Sequence, residues 1–307
     1  MTLHPHAQAV LDFRKAEGGP GPDASVQELR AADLKSTLIN GESASDVVVT
    51  HSYIAGPTAD LPLMVITPER FVEGSGALIY FHGGGWVFNQ HTKYQPMLTQ
   101  IASETGFRVI AVNYQKAPEH LFPIPFDDCY ATLEWVLAHA DVLGIDDAKV
   151  GVGGDSAGGN LAAAVALKAA DSGIALAFQM LIYPCVDTDY ENNSYQTHAV
   201  GYGLELAGMK ACWDAYVPVE HFSNKYAVPM RAESFVGVAP AVVALAEHDC
   251  LRDEGVAYAE RLLVDGVQVS LKEYPGMIHG FFGHGSIVAD AYELRKWLSA
   301  QIVELTK

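Results

Sequence analysis

Gly154-Asp155-Ser156-Ala157-Gly158 is the stretch that decides the fold. It follows an apolar, strand-like run over 149–153 and opens an alanine-rich helical run over 157–171, the strand–turn–helix setting that a G-x-S-x-G elbow requires. A serine on so sharp a turn has a strained backbone, so the residues two before and two after it must lack bulk. Taken alone, the pattern arises by chance roughly 0.1 times in a chain of this composition. Its surroundings must therefore support it.

Working outward, apolar runs at 77–81, 109–113, 149–153, 175–183, 241–246 and 267–274 alternate with helical stretches that include 126–140, 157–171, 253–264 and 287–303. Most of these runs are short and rich in β-branched or aromatic residues, as strands buried on both faces are. The alternation predicts an α/β fold with a mostly parallel sheet wrapped by helices. Extended segments at 47–53 and 63–67 come first. Two short helices precede them: 6–17, stopped by Gly18-Gly19-Pro20-Gly21-Pro22, and 25–35, opened by the capping box Ser25-Val26-Gln27-Glu28. The interval 185–232 breaks the rhythm with a polar stretch at 187–195 and a helix-like run at 204–216. Residues 1–45 are thus expected to begin a helical cap, and 46–307 to form the catalytic domain with a cap insertion at about 185–232.

A net charge of -18 and a pI near 4.9 repel phosphate backbones, which excludes nucleic acid and anionic membranes as partners. No apolar run approaches the roughly 20 residues that span a bilayer. The segment 1–10 lacks the basic start and apolar stretch of a signal peptide. Cys129, Cys185, Cys212 and Cys250 lie far apart without zinc-like spacing, so reduced thiols and a cytoplasmic protein are expected. No HExxH or Rossmann glycine pattern is present, and neither metal nor cofactor is expected. The composition is compatible with a homodimer.

His82-Gly83-Gly84-Gly85-Trp86 directly follows the run 77–81. Acyl transfer builds negative charge on a carbonyl oxygen, and bare glycine backbone lets N–H groups approach that oxygen closely. Gly83 and Gly84 are the expected oxyanion donors, with Ala157 as a third at the start of the helix behind Ser156. A triad also needs an acid and then a histidine, in that order after the serine. His279, in the loop after the last strand-like run, is the expected base, with His284 as local rival. Asp249, just past the run 241–246, is the expected acid, with Glu247 and Asp253 as neighbours to exclude.

With these motifs in place, the chain resembles the bacterial hormone-sensitive-lipase-like esterases, in the branch whose elbow reads GDSAGG. The likeness runs through HGGGW at 82–86, the segment 114–129, GDSAGGN at 154–160, the acid loop and the histidine loop. It implies an α/β-hydrolase fold with an eight-stranded sheet, a helical cap, no cofactor, and hydrolysis of small-molecule esters of short acids by Ser156, Asp249 and His279. Two departures stand out. Gln115 occupies the place of the family's arginine in YRLAPEH, and Cys250 replaces the proline of its DPL turn. Trp86, Phe88, Tyr202 and Trp213 are candidate pocket walls that equally suit core packing. The alternatives are an amidase, deacetylase or acyltransferase of the same fold, or a ligand-binding protein on a hydrolase scaffold.

Overall fold

The computed structural model describes residues 2–18 and 24–307; the 19–22 portion of the expected helix stop lies outside them. Eight strands form one sheet: β1 (Val47–Ala55), β2 (Asp60–Pro68), β3 (Ser75–Phe81), β4 (Arg108–Val112), β5 (Ile145–Asp155), β6 (Gln179–Ile182), β7 (Ala241–His248) and β8 (Val269–Ile278). Their spatial order is β1-β2-β4-β3-β5-β6-β7-β8, antiparallel at β1/β2 and β2/β4 and parallel from β4 to β8. The central strands are buried along nearly their whole length, whereas β1, at one edge, is mostly exposed.

The helices are α1 (Pro5–Glu17), α2 (Val26–Asp33), α3 (Gln95–Thr105), α4 (Ile124–Ala138), α5 (Ala140–Leu143), α6 (Ala157–Asp171), α7 (Asn193–Thr197), α8 (Leu206–Tyr216), α9 (Arg252–Val264) and α10 (Asp290–Leu305). They cover both faces of the sheet, as parallel strands demand. One buried cluster contains Leu133, Leu161, Val165 and Leu262; the other contains Val10, Leu98, Ile101, Leu294 and Leu298. Helix α6 is buried almost all round, which explains its alanine-rich sequence: small side chains let it lie close against β5 and β3.

Several boundaries differ from the sequence reading. The second helix ends at Asp33 and continues as a 3-10 turn, Leu34–Ile39, although both hydrogen bonds of its capping box are present. The sixth strand keeps only Gln179–Ile182 of the run 175–183. Strands β7 and β8 run on to His248 and Ile278, so Asp249 and His279 each stand immediately beyond a strand's carboxyl end. Helix α3, which the sequence reading leaves unassigned, starts with Pro96 in its first turn and ends on Gly106 in the left-handed region. Among the described residues no helix is long and apolar enough to cross a membrane.

Candidate active site

The elbow is built by exclusion of side chains. Ser156 has φ 55°, a region costly for a residue with a β-carbon. A β-carbon on Gly154 would lie 2.3 Å from the Gly158 carbonyl oxygen, and one on Gly158 only 2.0 Å from that of Phe81. Both neighbours are backbone, so neither site tolerates a larger residue. The turn lifts Ser156 off the end of β5 at the amino terminus of α6.

Three side chains from three strand ends meet there. His279 Nε2 lies 2.9 Å from Ser156 Oγ, and His279 Nδ1 lies 2.6 Å from Asp249 Oδ2. Asp249 is 1% exposed, and its other oxygen accepts the N–H of Leu251 at 3.0 Å, which fixes the carboxylate plane. The rivals are engaged elsewhere. His284 is buried, contacts Arg14 at 3.3 Å, and burial holds its pKa well below the usual imidazole range. Glu247 accepts the N–H of Gly276. Asp253 does not cap α9. The cap is Leu251, and Asp253 sits in the first turn of α9, accepting the N–H of Ser194 at 2.9 Å and pairing with Arg252.

The glycine turn requires one correction. The Gly83 N–H donates to Asp155 Oδ1 at 2.7 Å, so it is not available to a substrate oxygen. Gly84 and Gly85, both at positive φ, line the same cavity as Ser156, and Ala157 is the first residue of α6, whose N–H has no helical partner. Asp155 is a residue the sequence reading passes over. Buried, it also accepts from Tyr80 at 2.7 Å and Tyr94 at 3.0 Å; burial raises its pKa while these bonds pull it back.

A cavity of about 490 Å³ opens over Ser156 and His279, lined from below by Gly84 and Phe88 and from above by Arg14, Asp33 and Met209. Of the four candidate walls, only Phe88 lines it. Trp86 and Trp213 are fully buried, 4.5 Å apart, with Trp86 stacked on Tyr216 at 4.4 Å; they join α8 to the sheet domain. Tyr202 stacks on His248 instead. Among the described residues, one group has metal-ligand spacing, His4, His6 and Asp290, and none of the three lines the cavity.

A family described as alpha/beta hydrolase fold matches residues 78–283. The chain belongs to that family. It is 32% identical over 306 residues to the ethyl acetate hydrolase of Pseudomonas putida, covering 95% of this chain and 96% of that one. It is 36% identical over 239 residues to the carboxylesterase NlhH of Mycobacterium tuberculosis, covering 76% and 75%. An ester hydrolase from the metagenome of Lake Arreo, solved with a bipyridine phosphonate derivative, superposes with a TM-score of 0.94 at 35% identity over 99% of each chain.

Both departures of this α/β-hydrolase from the esterase pattern are absorbed locally. Gln115 donates to buried Asp128 through its backbone at 2.8 Å and its side chain at 3.3 Å, so amide hydrogen bonds stand in for an ion pair. Burial raises the Asp128 pKa. Cys250 is buried, its carbonyl oxygen accepts from Ser194, and the Asp249 carbonyl oxygen accepts from Arg252, so hydrogen bonds hold the turn where proline would.

Proposed function

We propose that this α/β-hydrolase is a serine carboxylesterase that cleaves small esters of short acids through an acyl-enzyme formed on Ser156. Carboxylic ester hydrolysis is the activity that its relatives' names carry. The observation that supports the roles is the unbroken chain from Asp249 through His279 to Ser156, at 2.6 and 2.9 Å. His279 takes the Ser156 proton as Oγ attacks the carbonyl, and passes it to the departing alcohol; Asp249 holds the imidazole in the tautomer with its free lone pair toward serine. Gly84, Gly85 and Ala157 supply the oxyanion donors, aided by the amino terminus of α6. Water, activated by the same histidine, then releases the acid.

The helical segments 1–45 and 185–232 act as a cap, a reading supported by the cavity walls that α1, α2 and α8 contribute above Ser156. A covered cavity of this size favours short acyl chains over long triglycerides. The site is complete within one chain, so the reading does not depend on a homodimer. Four unpaired cysteines support a reducing, cytoplasmic setting.

A fluorophosphonate tests the assignment, because only an activated serine attacks such reagents at useful rates. Intact mass should rise by one adduct, which peptide mapping places on Ser156. An adduct elsewhere, or undiminished ester hydrolysis by Ser156→Ala, would sink it.

A further inference from the structure

Arg14 projects from the last turn of α1 into the cavity that holds Ser156 and His279. Its guanidinium is wedged against backbone: a β-carbon on Gly203 would lie 2.6 Å from Nη1, and one on Gly280 would lie 3.5 Å from Nη2. Its one hydrogen-bond partner among the described residues is His284 Nε2, at 3.3 Å. That contact engages one of five N–H donors.

The carboxylates lining the cavity are engaged by other groups, so Arg14 has no direct ion pair among the described residues. Lys93 pairs with Asp33 at 2.8 Å, and Lys35 pairs with Glu17 at 3.5 Å. Asp155 is closed off by Tyr80, Tyr94 and the Gly83 N–H. No carboxylate among the described residues lies within ion-pair distance of Arg14. A cation drawn out of bulk water without a direct partner is costly: burial lowers the Arg14 pKa, and the charge of Asp33, itself paired with Lys93, offsets this only in part. In a protein of net charge -18, a recessed guanidinium with no direct ion pair makes an anion-selective point in an otherwise repulsive surface.

We propose that Arg14 recognises a carboxylate on the alcohol half of the substrate, so that the preferred esters are O-acyl hydroxy acids. The proposal rests on the esterase reading and specifies its substrate class. The side follows from the mechanism: His279 must reach both Ser156 Oγ and the departing alcohol oxygen, so the alcohol lies against His279. Arg14 stands beside Gly280 and His284, on the same loop. A carboxylate matches the planar fork of a guanidinium in a bidentate contact, which a neutral amide of the same shape cannot supply.

The test compares kcat/KM for O-acetylglycolate with that for neutral O-acetylglycolamide, and, for the acyl side, monomethyl succinate with methyl succinamate. In the first pair Arg14→Gln should lower the anion-to-amide ratio about tenfold or more, while Arg14→Lys keeps an intermediate ratio. Competitive inhibition of the unsubstituted enzyme reads the same preference without mutation, glycolate being expected to inhibit more strongly than glycolamide. A first-pair ratio indifferent to Arg14→Gln, a fall confined to the succinate pair, or glycolamide inhibiting as well as glycolate would each overturn the proposal. If the enzyme cleaves the neutral ester and Ser156→Ala does not, such a result defeats the carboxylate preference alone. If neither neutral ester is cleaved, the esterase reading falls with it.

Discussion

Asp155 Oδ1 accepts the backbone N–H of Gly83 at 2.7 Å, tying the residue before the proposed nucleophile to the glycine turn that faces it. A β-carbon on Gly83 would lie 2.4 Å from the other oxygen of the same carboxylate, so the two segments touch without a gap. The carboxylate thereby positions Gly84 and Gly85 relative to Ser156, its own oxygens being taken by Gly83, Tyr80 and Tyr94.

Asp155→Ala should therefore act on the rate more than on substrate binding. It leaves three buried donors, the Gly83 N–H and the O–H groups of Tyr80 and Tyr94, without their acceptor, at about 1–3 kcal/mol for each. If the turn relaxes, the oxyanion donors move, and kcat should fall roughly 10²-fold with KM little changed. Asp155→Asn, which keeps an acceptor for Gly83, should recover part of the rate. Steady-state kinetics on one short ester decide the matter: a normal kcat in a folded Asp155→Ala would show that the turn holds itself.

Gly158 and Gly208 should respond oppositely to alanine. At Gly158 the added methyl meets the Phe81 carbonyl oxygen at 2.0 Å and the His82 carbonyl carbon at 2.7 Å, so the elbow must be pushed off the sheet, at about 3 kcal/mol or more. At Gly208, within α8, nothing lies within 4 Å, and Gly208→Ala should stabilise by about 0.5–1 kcal/mol through helix propensity. Denaturant melts of the two variants check both signs.

What could be read from the sequence follows from which constraints are local. The elbow and HGGGW are short-range steric demands, and they stand out without any knowledge of the tertiary structure. The proposed triad acid and base could be nominated because each stands just past a strand that apolar composition marks. Asp155 lies inside the quoted motif, yet its role depends on Tyr80, Tyr94 and Gly83, which lie 61 to 75 positions away in sequence. The engagement of the Gly83 N–H, which moves the proposed donor role to Gly85, has the same origin, since three adjacent glycines look alike until one is engaged. Trp86 and Trp213 suit a wall or a core equally by composition, and only their full burial and mutual tilted contact decide. Arg14 sits on a helix whose sequence resembles an ordinary solvated surface, and its exposure to the cavity is purely tertiary. Helix α3 is different: Pro96, the apolar positions Met97, Leu98, Ile101 and Ala102, and Gly106 were a usable signal.

Asp249→Asn and Asp253→Asn should separate cleanly. The first removes the acceptor that holds the His279 tautomer; in the serine-protease precedent the equivalent change lowers kcat by roughly 10⁴. The second weakens a contact to Ser194 and a part-exposed pair with Arg252, worth about 1 kcal/mol or less, and should leave kcat nearly intact while lowering the melting temperature slightly. A collapse of kcat in Asp253→Asn with normal kcat in Asp249→Asn would place the acid four residues later.

Glu254 gives a pH-dependent test of how the proposed cap is attached. It lies in the first turn of α9, 3% exposed, and its Oε1 accepts the Val186 N–H at 2.7 Å, joining the catalytic domain to the start of the 185–232 segment. Burial raises its pKa well above the ordinary 4.5; the backbone bonds from Val186 and Asp187 only partly offset this, and the nearby Asp187 carboxylate adds to the rise. Between the ordinary value and the raised one, the folded state holds a proton that the unfolded chain has lost. The unfolded state then binds fewer protons, so the unfolding free energy falls as pH rises. Below about 4.5 both states are protonated and the effect vanishes. Glu254→Gln keeps an oxygen acceptor for Val186 in a side chain of the same shape but never ionises. Its melting temperature should therefore match that of the unsubstituted enzyme near pH 4 and exceed it progressively as the pH is raised above 5. Thermal melts of both proteins at pH 4, 5, 6 and 7 give the comparison, with Asp187→Asn expected to shrink the difference because one repulsive neighbour is gone. A melting-temperature difference that stays constant across the series would mean that Glu254 titrates alike in the folded and unfolded chains, and that burial does not govern its charge.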